Sequence, residues 1–272
     1  MNKKHFDQHI HSVFSFDSET DNTLENIVKS SIDKGLSGIA VTDHLDPLWP
    51  DEDDPAILDI SAYQAALTAT EQSFSERIQF SKGIELGLLP GEALDICSEI
   101  VGKYPYDFVI GSMHYSLETP IDYPAFLEDR STKDIIDEYY TLLLESIRIY
   151  KDYDVLGHIN AIDRYTPELA PESLYMPYID EILKVSISDG KGIEINTSSY
   201  GRYNRIVERG TPSLQILTHY KELGGEIVTI GSDAHKNTDI GAFLEEGEKI
   251  LQKAGFKYQS FYKNRTPEFF AI

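Results

Sequence analysis

Short apolar runs recur along the chain and alternate with stretches of helical period. The runs at Ile39–Thr42, Gly83–Leu88, Phe108–Ser112, Val155–Gly157, Gly192–Asn196 and Ile227–Ile230 are rich in Ile and Val, and a weaker one covers Phe6–Ile10. None alternates cleanly between apolar and polar positions. Continuous apolar runs of this length predict parallel strands buried on both faces. Between them, Leu24, Ile27, Val28 and Ile32 mark one helical face, opened by Asn22 and Glu25 at the spacing of a capping box. Ser61 and Gln64 repeat that spacing before a helical stretch over Ala65–Phe74. Ala93, Leu94, Ile96, Cys97 and Ile100 share another helical period. Ile135, Tyr139, Leu142, Leu143 and Ile147 predict a long amphipathic helix, and Ile179, Ile182, Leu183 and Ile187 the next. Thr211 and Pro212 predict a cap and a first-turn proline ahead of Leu214–Leu223, and Phe243–Leu251 closes the series.

Seven strands alternating with helices predict an α/β barrel related to the (β/α)₈ type, with its chemistry at the carboxyl ends of the strands. No internal repeat or linker divides the chain, so residues 1–272 are expected to form a single domain. The clearest long loop is Asp46–Pro55, rich in Asp and Pro. It follows His44 directly and is expected to hang over the barrel mouth.

Charge narrows the range of partners. With 24 Lys and Arg against 46 Asp and Glu, the formal charge is −22. Such a surface repels phosphate backbones, so no nucleic acid partner is expected. The opening residues lack the apolar core of a leader peptide, and no stretch approaches the ~18 apolar residues of a membrane span. Cys97 is the only cysteine. A disulfide framework is therefore excluded, a cytoplasmic setting is expected, and Cys97 reads as a small core residue rather than a nucleophile.

The candidate chemistry sits where the runs end. Asp7-x-His9-x-His11, His44, Glu85, His114, His158 and Asp233-x-His235 all fall where a strand would hand over to a loop. A lone His-x-His is weak, because structural histidines supply many such pairs. Here six of the eight histidines lie at strand ends, and only His5 and His219 do not. Residues two apart on an extended strand share a face, so His9 and His11 point together, as do Asp233 and His235. Asp7 shares the face of His9 and is expected to orient it. Imidazoles mixed with carboxylates and no thiolate suit Zn²⁺, Fe²⁺ or Mn²⁺. Nine candidate ligands are too many for one tetrahedral ion and suit three. Metals roughly 3.5–4 Å apart would lower the pKa of a bridging water towards ~7 and make hydroxide available at neutral pH.

This set resembles the polymerase-and-histidinol-phosphatase (PHP) family, and more closely its histidinol-phosphatase branch. The similarity runs from Asp7 to His235. The resemblance implies a distorted (β/α)₇ barrel with a trinuclear site. It implies a first metal on His9, His11, Glu85 and Asp233. A second would take Glu85 as a bridge with His114 and His158, and a third Asp17, His44 and His235. It further implies a small phosphate ester as partner and a metal-bridging hydroxide that attacks phosphorus. The expected reaction is hydrolysis of L-histidinol phosphate to histidinol and phosphate, without a phosphoenzyme. Asp17 or His235 is expected to steer the water that protonates the leaving alkoxide.

Arginine placement favours the same branch. Arg164 lies six residues past His158, and Arg202 and Arg205 follow Asn196. In so acidic a chain, guanidinium groups in mouth loops suit a phosphate, which they grip with a bidentate fork. Arg164 and Arg202 are the expected contacts, with Arg205 the weaker candidate. The acidic run Asp51–Asp54 beside Trp49 offers itself to the cationic end of the substrate, though a solvated loop explains it as simply. Competing readings are a phosphatase of another ester, a metal-dependent amidohydrolase and a metal-binding protein without activity. An amidohydrolase typically needs a metal-bridging Lys at a later strand end, where this chain carries Glu85 and His114 instead.

Overall fold

Each apolar run forms a strand with both faces covered. In the computed structural model, which describes residues 4–50, 58–117, 119–166, 169–201 and 211–272, β1 (Phe6–Ile10) leads to α1 (Leu24–Asp33), β2 (Gly38–Val41) and the two-residue β3 (His44–Leu45). Then come α2 (Ile60–Phe74), β4 (Gln79–Gly87), α3 (Glu92–Lys103), β5 (Phe108–Ser112) and the one-turn α4 (Pro124–Leu127). The second half runs α5 (Thr132–Ile149), β6 (Val155–Leu156), α6 (Glu172–Ser188), β7 (Gly192–Asn196), α7 (Leu214–Glu222), β8 (Val228–Gly231) and α8 (Leu244–Lys253). A hairpin, β9 (Tyr258–Lys263) and β10 (Thr266–Ala271), ends the chain. Arg202, Arg205 and the Asp51–Asp54 run lie outside the described residues.

Seven strands pair in parallel in the order β1-β2-β4-β5-β6-β7-β8, with β3 beside the carboxyl half of β4. The circle nearly closes. A bridge joins Ile10 to Ala234, with Asp233 N–H donating to the His9 carbonyl (2.7 Å) and His11 N–H to that of Ala234 (2.9 Å). The expected seven-stranded α/β barrel is therefore the observed fold. Every residue of β1, β2, β5, β7 and β8 is buried, as doubly covered parallel strands require. Among the described residues, no helix is long and apolar enough to cross a membrane.

The terminal hairpin, which no apolar run announced, plugs the amino end of the barrel. Tyr262 packs with Ala40, Phe108, Ile110 and Val155. Gln8 receives the Tyr262 N–H (3.0 Å) and donates to the Ser260 carbonyl, while Ser81 donates to the Tyr262 carbonyl (2.9 Å). Lys263 reaches Asp107 (2.8 Å) and Arg265 reaches Asp154 (2.6 Å), acids that immediately precede β5 and β6. With this end sealed, the carboxyl end is the open one.

Helix starts differ from the sequence expectation by one to two residues. Thr23 caps α1 by accepting from Asn26 N–H, and the buried Asn22 donates its amide to the His11 carbonyl instead. Asp59, rather than Ser61, caps α2. Ser213 caps α7, while Thr211 accepts the Asn196 N–H (2.7 Å). In each case the cap is the non-helical residue just before the helix, its side chain accepting a first-turn N–H, while the expected cap's side chain or backbone meets a distant residue, as Ser61 meets Tyr104 (3.2 Å).

Candidate metal centre

Parallel register brings the strand ends to one level. β3 pairs His44 with Glu85, and β4 pairs Glu85 with Ile110. His114 and His158 each follow their strand by two residues, as Asp233 follows β8. Asp233 takes a left-handed backbone (φ 56°), a conformation that Asp tolerates better than most residues and that gathers at functional sites. Gly231 is required beside it. A Cβ there would lie 2.3 Å from His9 Cβ and 2.8 Å from Glu194 Oε1.

Glu85 sits at the centre, fully buried. Its Oε2 lies 3.1 Å from His9 Nε2, 3.5 Å from His11 Nε2 and 3.2 Å from His44 Nδ1. Its Oε1 lies 3.2 Å from His114 Nε2 and 3.0 Å from His158 Nε2, and accepts the Ser112 hydroxyl at 2.6 Å. Asp233 Oδ1 faces His11 Nε2 (3.3 Å) and His9 Nε2 (3.8 Å). At the rim, Asp17 approaches His235 Nε2 (3.0 Å) and His44 Nε2 (3.9 Å). The rings of His44 and His235 both stack on His11, at 4.2 and 4.1 Å. All nine residues expected from the sequence thus converge at one end of the barrel.

Outer hydrogen bonds set the tautomers. His9 Nδ1–H donates to Glu194 Oε1 (2.6 Å), and His235 Nδ1–H to the Asp233 carbonyl (2.9 Å). Ser15 gives its hydroxyl proton to Asp43 (2.7 Å), so it accepts from His11 Nδ1 (3.1 Å). Each of these rings therefore turns its Nε2 lone pair inward. Asp7 does not orient the His9 ring as the sequence suggested. Its carboxylate instead accepts from the backbone and hydroxyl of Ser232 and from Gly241 N–H, tying β1 to the chain after β8. Glu194, Asp43, Ser15 and Ser112 are the residues sequence reading missed. Glu194 lies in an apolar run on β7, and a carboxylate in a doubly buried strand was the signal available.

The donor set fits divalent metal ions. Among the described residues, His9 Nε2, His11 Nε2 and Glu85 Oε2 are buried without any hydrogen bond, although they face one another within 3.1–3.5 Å. Leaving such groups unsatisfied costs about 1–3 kcal/mol each, whereas a cation would satisfy all three. Among the described residues, four triads have donor atoms within 4.8 Å of one another: His9–His11–Glu85 and Glu85–His114–His158 around Glu85, His11–His44–His235, and His44–Asp46–His114. No thiolate is present, so the set suits Zn²⁺, Mn²⁺ or Fe²⁺.

The electrostatics follow from this crowding. Burial works against ionisation of Glu85 and Asp233, but the surrounding imidazoles outweigh it and hold both well below the usual carboxylate range. Burial, with the neighbouring His235 and His44, holds His11 well below the usual imidazole range, which keeps its ring neutral. Burial also opposes the charge on His9, yet Glu194, Glu85 and Asp233 leave it well above that range.

A cavity of about 310 Å³ opens above the cluster. Arg164, on a short 3₁₀ turn after His158, enters its wall with a side chain only 6% exposed. Its Nη2 donates to Ser198 Oγ (3.2 Å), and Nη1 lies 3.6 Å from Asp233 Oδ2. Phe16, Trp49, Asp122 and Tyr123 also line it.

A family model described as the PHP domain matches residues 7–198. The probable histidinol-phosphatase of Clostridium acetobutylicum is 30% identical over 262 residues, covering 95% of this chain and 97% of that protein. The histidinol-phosphatase of Lactococcus lactis is 27% identical over 257 residues, covering 93% and 92%. A crystal structure of histidinol phosphate phosphatase from Lactococcus lactis, complexed with zinc, L-histidinol and phosphate, superposes with a TM-score of 0.87. It covers 98% of this chain and 100% of that one at 24% identity, which speaks for a shared fold. Since the domain model spans most of the chain and the clostridial relative is matched almost end to end, the chain belongs to the PHP domain family.

Proposed function

We propose that the chain is a metal-dependent phosphomonoesterase, a histidinol-phosphatase that converts L-histidinol phosphate and water to L-histidinol and phosphate in histidine biosynthesis. The observation that carries this reading is Glu85, with one oxygen towards His9 and His11 and the other towards His114 and His158, beneath a cavity walled by Arg164. The names of the relatives supply the substrate. In this reading His9, His11, Glu85 and Asp233 hold one ion, Glu85, His114 and His158 a second, and Asp17, His44 and His235 a third. When bound, divalent ions supply Lewis acidity and water of lowered pKa.

The chain's own groups do the rest. Arg164 binds the non-bridging phosphate oxygens and offsets the charge that grows on them, with Arg202, outside the described residues, as its partner. The Asp17–His235 pair at the rim steers the water that gives its proton to the leaving alkoxide. Asp122 and the faces of Phe16 and Trp49 suit the ammonium and imidazole of the substrate. Cys97 takes no part: burial pushes its thiol up to about 12, and it stays a protonated core residue in the reducing cytoplasm this reading assumes. The barrel and its terminal plug support treating residues 1–272 as one domain, and the charge of −22 supports a small-molecule partner rather than a nucleic acid.

The direct test is phosphate release from L-histidinol phosphate, phosphotyrosine and p-nitrophenyl phosphate, with Zn²⁺ or Mn²⁺ and with chelator. Histidinol phosphate should be preferred at least ~100-fold in kcat/KM, because a site built to pair polar substrate groups rejects esters lacking them. Better turnover of another ester would keep the chemistry and replace the substrate.

Arg164→Met should lower kcat/KM by roughly 10²–10³-fold while leaving metal content unchanged, since it removes a buried donor aimed at developing phosphoryl charge. A change under about threefold would exclude phosphate contact by this side chain.

A further inference from the structure

Asp46 stands outside the nine residues of the candidate centre yet is 3% exposed and placed between two of its histidines. It directly follows β3, which pairs His44 with Glu85 and Leu45 with Leu86. The next position on β4 is Gly87, and a Cβ there would lie 2.0 Å from Asp46 Oδ1. Only glycine leaves room for the carboxylate to lie against the strand.

From that slot Asp46 reaches two rings. Its Oδ1 accepts from His114 Nδ1–H at 2.7 Å. Its Oδ2 lies 3.4 Å from His44 Nδ1, which Glu85 Oε2 also approaches at 3.2 Å, and neither His44 Nδ1 nor Asp46 Oδ2 makes a hydrogen bond as the side chains stand. A buried carboxylate oxygen and a buried ring nitrogen facing each other are satisfied together by a small ring rotation that lets Nδ1–H donate. Both histidines would then carry the Nδ1–H tautomer. His114 Nε2 faces Glu85 Oε1 at 3.2 Å, and His44 Nε2 faces Asp17 at 3.9 Å.

We infer that Asp46 is a positioning residue that fixes the tautomer and ring orientation of His44 and His114 together, coupling two of the metal positions through one carboxylate. The inference rests on the metal-dependent reading above. A carboxylate behind a ligand histidine raises its basicity and holds its ring, and loss of such a partner typically costs about 10- to 100-fold in metal affinity. One carboxylate shared by two rings should therefore weaken two positions at once.

The test measures metal binding rather than turnover. Wild type, Asp46→Asn and Gly87→Ala would be titrated with Zn²⁺ against a competing chelator, with bound metal counted by mass spectrometry and circular dichroism confirming the fold. Asp46→Asn keeps the shape and removes the charge, and it should lose about 10- to 100-fold in affinity at two equivalents of metal per chain. Gly87→Ala, which displaces the carboxylate without altering any ligand, should reproduce that loss. Unchanged affinity in a folded Asp46→Asn protein would overturn the inference and leave Asp46 an anchor of its loop, as would a loss confined to a single equivalent. Absence of metal binding by the wild type would instead remove the functional reading beneath it.

Discussion

Glu85→Gln is expected to lower kcat/KM for L-histidinol phosphate by at least about 10⁴-fold, some 5 kcal/mol of transition-state stabilisation. Both oxygens are in use. Oε1 meets His114, His158 and the Ser112 hydroxyl, and Oε2 meets His9, His11 and His44. Glutamine keeps the length but offers one acceptor oxygen and an NH₂ group, so one set of histidines would face a donor. It also removes the negative charge that most directly compensates a cation at either position. Bound metal should therefore fall at two positions together, which elemental analysis of the purified variant would reveal. A folded Glu85→Gln protein with full metal content and less than about tenfold loss of kcat/KM would show that Glu85 is not shared.

Stripping the metals is expected to lower the melting temperature by at least about 10 °C, reversibly. A ligand held at about a thousand times its Kd stabilises the native state by roughly 4 kcal/mol per site. In a chain of this size, each kcal/mol shifts the midpoint by about 2–4 °C. The centre has further reason to respond, because buried donors on His9, His11 and Glu85 lack partners when no cation is there. The apolar core below the centre is independent of it, so the stripped chain should remain folded. Calorimetry of chelated and Zn²⁺-reloaded protein would measure the difference. A midpoint that moves by less than about 2 °C would mean that the cluster holds no tightly bound ion.

Local pattern decided some features and long-range packing others. The strands over Phe108–Ser112 and Gly192–Asn196 were legible because an unbroken apolar run has few alternatives in an α/β chain. The hairpin over Tyr258–Ala271 was not, since its strands mix charged and aromatic residues and gain their order by sealing the barrel. Asp7 and Glu194 make the same contrast. Both are acids in strands, but only the fold shows that Asp7 ties β1 to Ser232 and Gly241 while Glu194 grips His9 from 185 residues away.

By itself, the sequence determined the α/β barrel, the end that carries the chemistry, and the nine His, Asp and Glu side chains that meet there. The barrel and eight of those side chains follow from periodicity and from residue types at strand ends, which are local properties of the chain, whereas Asp17, in the loop after β1, followed from the family resemblance. The tertiary structure alone decided which oxygen of Glu85 faces which histidines, that Asp46 and Glu194 back imidazoles directly and Asp43 through Ser15, and that Thr23, Asp59 and Ser213 cap the helices. Each of these depends on hydrogen-bond partners brought together across the barrel, and a side chain's choice among partners is made by distance in space, which spacing along a strand does not encode.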